Sequence, residues 1–350
     1  MPVERFVVPK PLARAVVSVR KRAGQVFTES FFKGIARSFS ATPLAWPRLY
    51  DVEVIRDVPY LASGLVEQRL DMYRPRHQGN GSRPALMYVH GGGFRFMAKE
   101  THWLMGLLFA SRGYVVFNVE YRLAPRFRFP AAHQDVAAAY QWMIEHRGEY
   151  GSAGPIVLAG ESAGANLAWG VTLSACYERP EPWARQVFEL GVVPDAFVSA
   201  CGMLQVSHPE RVLEQGLSTF FLDRFEEVYR DYVAGSEAEQ QGKADLVDPL
   251  IILEQGLAPR RPLPAVVATV GTADPLLDDT RRLQVALERL AVPVAAWYYP
   301  GEIHSFQPLI WRLHARRSWA ATFRFLEDQV GIRPETTGSR LASMLLDSPM

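Results

Sequence analysis

The sequence predicts an α/β fold, a mostly parallel sheet covered by helices on both faces. Two observations carry this. Short apolar runs, rich in Val and aromatic residues and bounded by Gly or Pro, lie at residues 85–89, 114–119, 156–159, 265–270 and 292–299. Buried parallel strands read this way because both of their faces are covered. Between the runs lie helical stripes. Val136, Ala139, Tyr140, Met143 and Ile144 form one, and Leu283, Ala286, Leu287 and Leu290 form another. Strands alternating with helices imply parallel pairing through crossover helices.

Composition sets the bounds. Of 350 residues, 48% are hydrophobic and 21% charged, enough apolar material for a sizeable core. The net charge is +1, so no overall field draws in nucleic acid. Cys176 and Cys201 belong to no CxxC pair, and the histidines lack metal-ligand spacing. Two buried free thiols in a reducing, cytoplasmic setting are therefore expected. The run Phe6-Val7-Val8 is cut short by Pro9-Lys10-Pro11, which does not suit a secretory signal. No run of about 18 apolar residues suggests a membrane span.

Three stretches depart from the strand–helix rhythm. Residues 1–50 form a leader with eight basic and two acidic residues through Ser40. Phe27, Phe31, Ile35 and Phe39 recur every fourth residue and line one helix face. Such a face either packs on the rest of the protein, the reading preferred here, or lies on an anionic membrane through residues 10–40. Residues 205–257 read as a charged helical insertion between two late strands of the 51–332 domain, and 333–350 as a mobile tail.

Chemistry enters at Gly160-Glu161-Ser162-Ala163-Gly164, directly after the run 156–159 and before the helical Asn166-Leu167-Ala168-Trp169. Strand, sharp turn and helix are the context in which G-x-S-x-G presents a nucleophilic serine. A second signal, His90-Gly91-Gly92-Gly93-Phe94, ends the run 85–89. Consecutive glycines let N–H groups face a cavity and hold a developing oxyanion. Gly91 and Gly92 are assigned that task, with Ala163 N–H as the third donor. His90 is read as bracing its loop.

The serine needs a base, and the base an orienting carboxylate, in the chain order Ser, acid, His. Three histidines follow Ser162. His208 falls in the insertion and His314 in a basic helical stretch. His304 sits just past the run 292–299, at a strand end where catalytic side chains gather. His304 is therefore the expected base. Asp274, first after the run 265–270 and followed by Pro275, is the expected acid, with Asp278 as substitute. Asp278 and Asp279 also suit the first turn of the next helix.

Four segments together resemble the hormone-sensitive-lipase-like esterases of the α/β-hydrolases. They are His90 to Phe94; Tyr121-Arg122-Leu123-Ala124-Pro125 with Phe129-Pro130-Ala131-Ala132; Gly160 to Asn166 with Leu167-Ala168; and Asp274-Pro275-Leu276 with Gly301 to Phe306. The resemblance spans about residues 65–330. It implies the α/β-hydrolase fold, with about eight strands and a helical lid built from the N-terminal helices and the insertion. It also implies hydrolysis of esters with short or medium acyl chains, without a cofactor. Ser162, Asp274 and His304 align with the family's triad, and Gly91, Gly92 and Ala163 with its oxyanion hole. Ala165 and Ser305 stand where Gly is common, and Arg126 where Glu is common. These departures touch the acyl pocket and the loop carrying His133, which is read as structural.

The partner expected is a small-molecule ester. An amide substrate would use the same triad. A non-catalytic ligand receptor, like the plant gibberellin receptors that resemble this family, would lack the histidine that His304 supplies. A homodimer is also admitted.

Overall fold

Alternate residues of the central strands are apolar on both sides, so their sheet needs two covers. The computed structural model describes residues 10–76 and 82–331, with side chains from residue 19 onward. Its strands are β1 (Val52–Pro59), β2 (Arg69–Pro75), β3 (Arg83–Val89), β4 (Val115–Val119), β5 (Ser152–Glu161), β6 (Ala196–Ala200), β7 (Ala265–Gly271) and β8 (Val294–Tyr299). They form one sheet in the order β1-β2-β4-β3-β5-β6-β7-β8. β1–β2 and β2–β4 pair antiparallel, and every pair from β4 to β8 is parallel.

The helices are α1 (Lys10–Ser40), α2 (Trp103–Ser111), α3 (Ala131–His146), α4 (Ala163–Cys176), α5 (Pro182–Glu189), α6 (Arg211–Glu214), α7 (Thr219–Val228), α8 (Glu237–Gln240), α9 (Pro249–Glu254), α10 (Leu277–Arg289) and α11 (Leu313–Val330). The strand pleat sorts the core in two. Ala85, Met87 and Val89 of β3 and Ile156 and Leu158 of β5 pack toward α3, α4, α5, α9 and α10. Leu86, Tyr88, Val157 and Ala159 pack toward α2 and α11.

The five runs read from sequence lie within β3, β4, β5, β7 and β8 or overlap them, and three strands went unread. β1 and β2 form the antiparallel margin, and β1 is partly exposed and carries Glu53, Arg56 and Asp57. Their text mixes charge with apolar residues, so it lacks the run of a doubly covered strand. β6 is only five residues long. α2 also went unread. It is buried on every side, and a helix apolar all round shows no stripe. Residues 205–257 lie between β6 and β7 and include α6 to α9. The expected tail, 333–350, lies outside the described residues, as do residues 1–9.

Candidate active site

The turn from β5 into α4 sets the serine. Ser162 has φ 52 and ψ −121, a left-handed backbone that few non-glycine residues adopt. Its N–H donates to Ala200 O at 3.0 Å, and its carbonyl accepts from Met203 N at 3.1 Å. The flanking glycines are a matter of space. A Cβ on Gly160 would stand 2.5 Å from Gly164 O, and one on Gly164 would stand 2.1 Å from Val89 O. The turn therefore crosses against its own helix and against β3, and only hydrogen fits at either position.

The next two predicted groups lie on neighbouring strand ends. The loop after β7 carries Asp274, and the loop after β8 carries His304. Gly271 lets the loops meet, since a Cβ there would be 2.0 Å from Glu302 O. Ala273 N donates to Glu302 O at 3.0 Å and Thr272 N to Tyr299 O at 2.9 Å. His304 Nδ1 lies 2.9 and 3.1 Å from the two Asp274 carboxylate oxygens. The Asp274 side chain is fully buried, and Leu276 N donates to its Oδ1 at 2.8 Å. With Nδ1 so engaged, Nε2 is the ring nitrogen left for the serine. Burial works against a charged ring, but Asp274 and the neighbouring Cys201 outweigh it and hold the His304 imidazolium well above the usual histidine range.

Ser162 and His304 line one cavity of about 250 Å³. Gly92 and Gly93 line it too, both at positive φ. Among the described residues, neither of their N–H groups donates a hydrogen bond, so both are free for an oxyanion. Ala163 opens α4, where the first N–H groups have no partner within the helix. Gly91 does not line the cavity, and a Cβ on it would stand 3.1 Å from Glu161.

A buried polar network backs this loop. His90 Nδ1 lies 2.8 Å from Gly91 O and Nε2 lies 3.1 Å from Glu120, while its ring stacks on Tyr121. His90 thus braces the loop. His102 Nε2 lies 2.9 Å from Glu161, the residue before the nucleophile. Burial disfavours charge on both, but each partner overcomes it, raising the His102 pKa and lowering that of Glu161. Sequence reasoning missed this pair. Its members lie 59 positions apart with no motif to link them.

Helices α1 and α7 roof the cavity, through Gln25, Thr28 and Phe32 on one side and Phe220, Phe221 and Phe225 on the other. The contact between them is ionic. Arg20 makes two 2.8 Å hydrogen bonds to Asp223, and Lys21 pairs with Glu226. Gly24 admits the Arg224 guanidinium, and Arg224 Nη2 donates to Lys21 O at 2.8 Å. The predicted apolar stripe is split by this arrangement. Phe39 stacks on Trp311, but Phe27 and Phe31 remain 64% and 45% exposed at the cavity mouth. Charged pairs rather than the stripe fix the helix rotation.

The remaining candidates fall elsewhere. Asp278 accepts from Gln215 at 3.1 Å, away from His304. Asp279 is buried against Arg211 and the N–H groups of Leu204 and Gln205. His314 bonds Glu302, and exposed His208 bonds Glu210. His133 is buried beside the Tyr232 hydroxyl, and desolvation lowers its pKa to about 3. Cys176 and Cys201 are both free and buried. Cys201 lies at the end of β6, beside His304 and Asp274. No local ligand spacing marks that cluster, because its members come from three strand ends. No helix among the described residues is long and apolar enough to cross a membrane.

A family model described as "alpha/beta hydrolase fold" matches residues 86–308, well over half of the chain. The chain belongs to the α/β-hydrolase fold family. This hydrolase is 28% identical over 236 residues to Esterase LipU of Mycobacterium tuberculosis, a match covering 65% of this chain and 72% of that one. Over 115 residues it is 39% identical to hormone-sensitive lipase of Mus musculus, covering 31% of this hydrolase and 14% of the mouse protein. The expected kinship with hormone-sensitive-lipase-like esterases thus holds. Among solved structures, a bacterial heroin esterase superposes with a TM-score of 0.67 at 21% identity, covering 86% of this hydrolase and 90% of that chain. That likeness concerns the fold.

Proposed function

We propose that Ser162, His304 and Asp274 hydrolyse short- to medium-chain acyl esters through an acyl-serine. The enzyme is a serine carboxylesterase. One observation carries the residue assignment: a strained serine and an aspartate-held histidine open into the same small, largely apolar cavity. His304 takes the Ser162 proton through Nε2 as the hydroxyl attacks the ester carbonyl. Gly-loop N–H groups and Ala163 N–H meet the oxyanion, each donor contributing about 2.7–4 kcal/mol in the transition state. His304 then protonates the leaving alcohol. Water activated by the same ring releases the acid, and Asp274 stays ionised throughout.

The test is a chain-length series of p-nitrophenyl esters beside a matched anilide, with fluorophosphonate labelling. Labelling at Ser162 is expected, with ester turnover falling once the acyl chain outgrows the cavity. An unlabelled Ser162, or an anilide turned over faster than its ester, would overturn the assignment.

Peripheral contact with an anionic lipid surface is part of the same reading. It is supported by Val19, Val26, Phe27 and Phe31, all exposed on α1 beside basic residues. Full-length protein should float with anionic vesicles and less with neutral ones. Phe27→Ser with Phe31→Ser should lose that binding, and equal flotation of the variant would refute the contact. A cytoplasmic setting is supported by the two buried free thiols.

A further inference from the structure

We propose that Cys201, His304 and Asp274 form a binding site for a thiophilic divalent cation, Zn²⁺ or Cd²⁺, which reversibly switches the enzyme off. The proposal rests on the triad assignment for its effect on rate, though not for binding itself. The Cys201 sulfur, a His304 ring nitrogen and an Asp274 carboxylate oxygen all lie within 4.8 Å of one another. Cys201 and Asp274 are buried, and the His304 side chain is 25% exposed. A cation would therefore arrive along the cavity that His304 lines.

The donor set is one sulfur, one nitrogen and one oxygen. Zinc binds that mixture tetrahedrally, with bonds of about 2.0–2.3 Å. Ligand atoms on one such ion stand roughly 3–4 Å apart, so side-chain shifts on the order of 1 Å close the set. Three protein ligands leave a fourth position for water. Thiolate excludes the hard cations, since Mg²⁺ and Ca²⁺ prefer oxygen ligands. Binding forms the metal–sulfur, metal–nitrogen and metal–oxygen bonds. It releases the Cys201 thiol proton, and the imidazolium proton where present, to solvent. No electron moves.

Catalysis stops for a simple reason. A metal on Nε2 occupies the nitrogen that the serine proton needs, and a metal on Nδ1 displaces the hydrogen bond by which Asp274 aims the ring. Cys201 stands where nothing in the ester mechanism calls for a thiol. Its sulfur is 3.7 Å from the Ser305 hydroxyl, a contact long enough to be given up.

The experiment uses the full-length protein, a short p-nitrophenyl ester and added ZnCl₂ or CdCl₂. Expected is inhibition that EDTA reverses, that strengthens as pH rises, and that MgCl₂ does not reproduce. With Cd²⁺, an ultraviolet thiolate-to-metal charge-transfer band should appear in parallel. In Cys201→Ala and Cys201→Ser, each measured against its own metal-free rate, the inhibiting concentration should rise about tenfold or more and the band should vanish. Ser162→Ala separates the two readings. It should bind Cd²⁺ with the same band although it turns over no ester. Equal inhibition of wild type and both Cys201 variants, or no band at inhibiting Cd²⁺, overturns the site.

Discussion

Ser162→Ala should leave a folded protein whose kcat is lower by about a millionfold. The fold survives because the ties at this position are main-chain ones. The N–H bond to Ala200 and the carbonyl bonds from Met203 and Asn166 are all available to alanine. Alanine has the same Cβ as serine, so the strain of the positive φ is unchanged. Only the hydroxyl is lost. The rate falls because no other nucleophile is presented at the β5–α4 turn, which shares its cavity with the free N–H groups of Gly92 and Gly93. The checks are thermal unfolding of the purified variant and its hydrolysis of p-nitrophenyl butyrate. Substantial turnover by a variant that unfolds like the wild type would exclude Ser162 as the nucleophile.

Asp274→Asn should lower kcat by about 10⁴-fold and move the pH profile. An amide of the same shape keeps the contact with His304 Nδ1 but offers an N–H where an acceptor is needed, which favours the wrong tautomer. The pH effect follows from the ion pair. In the wild type, Asp274 stabilises the imidazolium, so the neutral base forms only above the usual histidine range of about 6.5. The ratio kcat/KM should therefore rise with pH along a displaced acid limb. In the amide variant that attraction is gone and burial favours the neutral ring, so the limb of the residual activity should move down. The same pair stabilises the fold while the ring is charged. That contribution is whole below the unfolded-state pKa and fades as pH climbs through the raised native value. Rate profiles of both proteins decide the matter, and coincident limbs would mean that Asp274 does not set the histidine.

Legibility in the sequence followed the range of each interaction. Gly160, Ser162 and Gly164 could be read because one tight turn imposes all three, within five residues. Asp274 and His304 could be read because parallel sheets gather chemistry at strand ends, so position after a strand was informative before any contact was known. Asp278, the substitute acid, is set apart only by coordinates that place it beside Gln215. The His102–Glu161 pair and the approach of Cys201 to His304 are products of folding alone. No spacing rule joins residues brought together from separate strand ends. The direction in which the α1 face points was not legible for a related reason. Periodicity shows which residues share a face but not where that face points, and Asp223 and Glu226, some 200 positions away, settled the direction.

That helix is fastened differently from everything beneath it. The sheet owes its cohesion to apolar burial, which added electrolyte leaves intact or strengthens. The roof is tied by pairs whose basic members reach solvent, Arg20 being 51% and Lys21 26% exposed, and their attraction weakens as the Debye length shrinks to about 10 Å at 0.1 M salt and 3 Å at 1 M. Brine therefore acts on the two parts in opposite senses, slackening the cover while the floor holds firm. The doorway to the serine is in that respect a separate mechanical unit, with ionic strength as its natural handle.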